Sequence, residues 1–508
     1  MHGITGYGAY IPRLRLQRSA IVAANAWGNR ALKAHGKGER SMCNWDEDSV
    51  TMAVAAARDC FGGDAAVDGG GGAVENGGAP LSSIVLASTS LPFADRQNAG
   101  IVANALMLPP NVRSMDVTAS QKAGTSALAS ALDMVRGAGN AVLMVASDKR
   151  RAKPASAQEL LFGDGAAALT LASEAQGAAP VIARLLGSAS RTVDFVDHHR
   201  GEDRVYDYHW EERWIRDEGY MKIVPPTLAE VLESTGTAPE AVGFFAMPCV
   251  FPAVPRNIAK AIGLPAGSVR GNLFEACGET GVAHPLMLLI EALQEARPGD
   301  KVLVAGFGQG CDALLFEATE HLPAYQSRTK ERGVKGALAA RREETNYHKF
   351  LTFNHEVNKE MGIRAEADIP TPLSALYRNK DMVHALMGGL CTACGTAQFP
   401  KTRVCVSPEC KATDTQQDYS FANRPARIMT WTADHLTSTL DPPGYYGMVE
   451  FSAEDGGGIK GGRFMADFTD VDPALVDVGA PVTMVFRIKQ FDERRGFRRY
   501  FWKAVPGG

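Results

Sequence analysis

The chain has 508 residues, 45% of them hydrophobic and 22% charged, and a formal net charge of -4. That length exceeds what one compact core serves and suggests about three structural units; the composition excludes a disordered chain, and no stretch carries the roughly 20 uninterrupted apolar residues of a membrane span. Mild acidity argues against a protein devoted to nucleic acid, and nine cysteines are too few for a disulfide scaffold.

Met1-His2-Gly3 runs into strand-like sequence without the basic start, apolar stretch and small-residue cleavage site of a secretory signal, so a cytoplasmic location is expected. Over residues 1–320 short apolar runs alternate with helical stretches, as in an α/β protein whose sheets are covered by helices. Residues 84–88, 141–147 and 301–306 read as buried strands, and 46–60 as a helix, because Val50, Val54, Ala55 and Ala57 recur near a 3.6-residue period. Each half of this region holds strand, glycine turn and helix, as a duplicated fold would. Residues 62–80 are so rich in glycine that they read as a flexible surface insertion. Residues 321–378 read as a connector with some helix and no strand. Gly306-Phe307-Gly308-Gln309-Gly310 lacks the spacing and the following acid of a dinucleotide loop. Beyond Cys391, short alternating segments at 427–432, 446–451 and 482–488, separated by Pro and Gly turns, predict a small β-barrel.

Cys391-x2-Cys394 and Cys405-x4-Cys410 form two thiolate pairs ten residues apart, the spacing of two knuckles that place four sulfurs about one metal ion. Gly395 leaves room for backbone to approach sulfur. Zinc is the expected occupant, with iron open on the same donor set. Four thiolates leave no open position, so the ion is structural.

Gly6-Tyr7-Gly8-Ala9-Tyr10-Ile11-Pro12, Asp46-Glu47-Asp48-Ser49, Lys122-Ala123-Gly124-Thr125, Phe162-Gly163-Asp164-Gly165-Ala166-Ala167 and Gly271-Asn272 together resemble HMG-CoA synthases, especially their archaeal branch, over residues 1–320. The resemblance implies a thiolase-like fold of two similar α/β halves, a homodimer, a CoA thioester substrate, and a nucleophile at the N-terminus of a buried helix. It puts Gln121 where the acyl-accepting cysteine belongs, Thr89 at the acid/base glutamate and Ala246 near the histidine, with Asn272 the further catalytic candidate. An amide cannot form an acyl-enzyme, and a hydroxyl is a poor proton shuttle at neutral pH. Three readings stay open. One is an enzyme that forms or cleaves C–C bonds without the cysteine, in which the Gln121 amide and helix N–H groups hold an enolate or thioester oxygen. Another is a non-catalytic scaffold that binds CoA, and the third a displaced nucleophile such as Ser120 or Cys277. Arg256 and Lys260 fall where the family's helix supplies cations to CoA. Lys149-Arg150-Arg151-Ala152-Lys153 reads as a solvated loop or a phosphate contact, and the histidine- and aromatic-rich stretch from His198 to Glu212 as a surface or dimer segment.

The C-terminal part resembles the zinc-ribbon/OB-fold module that accompanies thiolase-superfamily enzymes, with the ribbon at 379–423 and the OB-fold at 424–508. The resemblance rests on the Cys pairs, Phe399-Pro400, Pro442-Pro443-Gly444-Tyr445 and Val478-Gly479-Ala480-Pro481-Val482. It implies a thiolase-family partner. The competing reading is an OB-fold that binds single-stranded nucleic acid through the cations and aromatic residues of 487–503.

Overall fold

The computed structural model describes residues 1–62, 75–76, 79–136, 141–174, 179–366, 371–451 and 460–507. Most of the glycine-rich insertion read at 62–80 lies outside the described residues.

A ten-stranded sheet organises the first part of the chain. In one half His2–Tyr10 pairs antiparallel with Asp164–Ser173, which pairs antiparallel with Ala141–Lys149, which runs parallel to Ala79–Ala87. In the other half Ala183–Thr192, Gly310–Ala318, Lys301–Phe307 and Val242–Ala246 repeat that order of antiparallel, antiparallel and parallel pairings. This is the duplication the sequence suggests, and the halves join where Gly3 and Ile4 meet Arg184 and Ala183. Ala141–Lys149 is buried nearly throughout, which explains its continuous apolar run: helices cover both faces. Two apolar helices, Ala123–Val135 and His284–Leu293, share one core with these strands.

The helix predicted at 46–60 begins at Ser49 and ends at Phe61. Asp48 caps it, accepting the Val50 and Thr51 N–H groups at 3.0 Å each, because a short carboxylate serves the free N–H groups better than an interior position would serve the acid. Asp46 and Glu47 therefore stand in the preceding turn. The connector is not free of strand either: Arg342–Glu344 runs parallel to Leu14–Gln17, which pairs with Glu39–Met42. Three residues are too few to show a period in sequence, and the pairing partner lies over 300 positions away.

After Met387 the chain forms a four-stranded sheet around the cysteines, then a five-stranded sheet in the order Arg463–Asp467, Gly444–Glu450, Ala426–Asp434, Pro481–Asp492, Phe497–Pro506. Among the described residues its first and last strands meet near one isolated bridge, Phe468 to Ala504, rather than along a closing ladder. Phe486, Tyr500 and Trp502 pack into the same core as Val50 and Ala53 of the Ser49–Phe61 helix. That helix thus serves both parts of the molecule. No helix among the described residues is long and apolar enough to cross a membrane.

Candidate functional site

The helix Ala123–Val135 starts beneath an unusual turn. Ala119 has φ +72°, and the Ser120 hydroxyl donates to the Gly308 carbonyl at 2.8 Å. A Cβ on Gly308 would come within 2.7 Å of the Lys122 nitrogen, so only glycine lets the Phe307–Gly310 hairpin close against the helix start. Gln121 is held there. Its Nε2 donates to Thr89 Oγ1 at 3.4 Å, while its Oε1 is buried without a partner.

Thr89 in turn donates to Asp148 Oδ2 at 3.0 Å. The Asp148 carboxylate also accepts the Ser88 hydroxyl at 3.0 Å, the Ser90 hydroxyl at 2.8 Å, and the N–H groups of Thr89 at 2.8 Å and Val282 at 3.0 Å. Burial pushes its pKa above the usual carboxylate range, and these donors pull against that shift. Asp148 was not among the residues read from sequence. Its signal was an acid at the carboxyl end of a buried strand, where open α/β sheets place ligand-binding groups.

Gln121 and Thr89 are thus brought together, whereas the hydrogen bonds of Asn272 run to other groups. The Asn272 side chain is folded onto neighbouring backbone, donating to the Cys249 carbonyl at 3.3 Å, while the backbone carbonyl of Asn272 accepts from His284 Nε2 at 2.8 Å. Ala246 is buried at the end of its strand, with no polar group for acid/base work. Cys277 is fully buried and its thiol is pushed up to about 12, the state of an inert structural cysteine. Arg256 and Lys260 are exposed one turn apart on Val254–Ala261.

Particular cations in two basic segments differ from their sequence readings. Arg150 is neither solvated nor free for phosphate, because its guanidinium is buried between Asp207, at 2.8 Å, and Glu279. In 487–503, Arg487 and Lys503 are buried against acids, two of them in the first part of the chain. Lys503 meets Asp46 at 2.8 Å, and Arg487 meets Glu47 at 2.9 Å and Asp470 at 3.0 Å. Asp48 takes Arg498 and the Tyr500 hydroxyl, each at 2.8 Å. Cations and rings engaged in this way are not available to phosphates and bases, contrary to the nucleic-acid reading. In the histidine-rich stretch, His198 contacts Asp197 at 2.9 Å and stacks on His209, whose pKa burial lowers to about 4.

The only group of metal-ligand type whose donor atoms converge among the described residues is Cys391, Cys394, Cys405 and Cys410, with sulfurs within 4.8 Å of one another. Two of the edges measure 3.9 and 3.6 Å. A tetrahedron of Zn–S bonds near 2.3 Å has edges of about 3.8 Å, so the four thiolates fit zinc. Gly395, at φ +71°, turns its N–H onto the Cys391 carbonyl at 2.8 Å and forms the first knuckle.

The model of the ChsH2 rubredoxin-like zinc ribbon domain family matches residues 379–416. A hydroxymethylglutaryl-CoA synthase of Caldivirga maquilingensis is 30% identical over 342 residues, covering 63% of this chain and 89% of the relative. That of Methanopyrus kandleri is 28% identical over 327 residues, covering 63% and 88%. Among solved structures, an HMG-CoA synthase complexed with CoA aligns with a TM-score of 0.56 at 18% identity, covering 73% of this chain and 94% of that one. The 3-oxoacyl-(acyl carrier protein) synthase III of Pseudomonas aeruginosa PAO1 aligns at 0.52 and 20%, covering 63% and 98%. These structural likenesses show a thiolase-like fold.

Proposed function

Since the chain belongs to the hydroxymethylglutaryl-CoA synthase family, we propose that it acts on acyl-CoA thioesters, making or breaking a C–C bond without forming an acyl-enzyme. The observation that carries this reading is the meeting of Gln121 with Thr89 at the head of the Ala123–Val135 helix. Both family positions are substituted, yet the side chains still converge. The first N–H groups of a helix carry partial positive charge and favour an anionic oxygen whatever residue precedes them. The Gln121 amide adds one donor aimed at the charge that develops on a thioester or enolate oxygen, and Asp148 fixes Thr89, which orients that amide. Arg256 and Lys260 are assigned to the anionic end of CoA. Asn272 is assigned to backbone support.

The same reading treats 1–320 as the acyl-thioester domain, 321–378 as its linker, 379–423 as the zinc ribbon with one structural ion, and 424–508 as the OB-like domain. It further takes the protein as a cytoplasmic homodimer that works with a thiolase-family partner. A second reading, a CoA-binding scaffold without turnover, draws on the closed hydrogen-bond set around Asp148, which leaves Thr89 tied to a carboxylate.

One experiment separates the two. Under the enzyme reading Gln121→Ala leaves CoA affinity nearly unchanged and slows turnover by about 10- to 1000-fold, as for removal of one oxyanion donor. Product analysis by mass spectrometry against a panel of acyl-CoAs supplies the assay, and absence of turnover in wild type supports the scaffold. An acyl group found on Ser120 or Cys277 overturns both.

A further inference from the structure

Resting on the acyl-thioester reading, we infer that the cleft between the α/β part and the C-terminal strands is a second anionic port, which holds the phosphate-bearing carrier of one acyl group while another thioester is already bound. A protein that stores an acyl group on cysteine needs only one entrance, because the first carrier leaves before the second arrives. Gln121 cannot store an acyl group. To join two acyl groups, both thioesters must be present together, each with its own polyanionic carrier.

The cleft has the size and charge for this. Its volume is about 1500 Å³, above the roughly 300–1,000 Å³ of ordinary small-ligand sites. Its walls include Thr89 and Ser90 on one side and the Pro442-Pro443-Gly444 turn on the other, so it reaches the threonine that Gln121 contacts. Eleven Lys and Arg line it against seven Asp and Glu, although Arg151, Arg200, Arg204 and Lys503 are paired with Glu356, Asp207, Asp203 and Asp46 just outside those walls. The chain as a whole carries a formal charge of -4, so this surface runs against the average.

Part of that positive charge is unspent. Among the described residues Lys149, Arg342, Lys359 and Arg364 enter no ion pair, and the contacts of three of them are backbone carbonyls: Lys149 with Glu47 at 3.2 Å, Arg342 with Val471 at 2.8 Å, Arg364 with Leu436 at 2.7 Å. Unneutralised cations on low-dielectric walls focus potential and draw polyanions. Arg256 and Lys260 take no part in these walls, so the two sets of cations form separate ports.

The test titrates free CoA and adenosine 3′,5′-bisphosphate into the full-length, zinc-loaded protein by calorimetry. Two CoA per chain are expected. The double variant Lys359→Glu/Arg364→Glu, at two exposed positions, weakens one of them by at least about 10-fold and leaves the other, since reversed charges repel the phosphates. Arg256→Glu/Lys260→Glu does the converse, and unchanged zinc content and melting temperature verify the fold of both variants. A single CoA per chain, lost with Arg256/Lys260 and indifferent to Lys359/Arg364, overturns the second port and leaves the acyl-thioester reading standing. Bisphosphate binding that depends on Lys359 and Arg364 while CoA binds nowhere sinks the thioester reading instead, because the port then serves another phosphorylated ligand.

Discussion

The zinc ribbon and the Gln121 pocket are opposite kinds of site. The ribbon takes all four ligands from the twenty residues between Cys391 and Cys410, and its geometry is made by local turns at Gly395 and around Ser407. The pocket draws on Ser88 to Ser90, Gln121, Asp148, Val282 and Gly308, which converge only because two halves of one sheet and two buried helices pack together. A local site stands or falls with its own ligands. A site assembled by the fold depends on the packing that brings its segments together as much as on any one of its groups.

The sharpest break between the regions is expected from Cys405→Ser. Structural zinc is worth an apparent ~10–16 kcal/mol in small zinc modules, as much as a domain's whole margin of about 5–15 kcal/mol. Zinc content should fall from one ion per chain to none, and amide exchange should rise in Met387–Cys391 and Gln416–Ser420 while Ala123–Val135 stays protected. Equal loss of protection in both would show that the ribbon is not a local unit.

Arg487→Met tests the opposite coupling. It leaves Glu47 and Asp470 buried without their cation, and removal of one partner from a buried ion pair costs about 3–5 kcal/mol. The denaturation midpoint should fall for both parts of the chain in one transition, because Arg487 joins them; a midpoint within error of wild type would remove this seam from the account.

Gly308→Ala confines the damage to the pocket. Its Cβ would press on the Lys122 nitrogen at 2.7 Å, and overpacking of this kind costs about 1–3 kcal/mol. Zinc content should not change, whereas acyl-CoA affinity or turnover should drop. Retention of both would mean that the helix start tolerates displacement.

The smallest effect is one of pH. Burial raises Glu47 from 4.5 to about 7, so the folded state holds that proton more tightly than the unfolded chain. Its contribution to stability is fully present below about pH 4.5 and is lost as pH rises through about 7. Glu47→Gln should flatten that decline in a melting-temperature profile between those limits, and an unchanged slope would assign the decline to other groups.

The metal centre was legible in the chain alone, because cysteine spacing and a glycine turn are local properties. The buried strands were legible too, and so was an amide, Gln121, directly before Lys122, since apolar runs and residue identity do not depend on partners. Tertiary structure alone decided which charges are free. Arg150, Arg487 and Lys503 look like solvated cations along the chain, yet Lys503 lies 457 positions from the Asp46 that neutralises it, and Arg150 is enclosed by Asp207 and Glu279. Asp148 gained its central place for the same reason. A side chain's chemistry is set by burial and by the groups that face it, and those are distributed by packing between segments that sequence order keeps far apart.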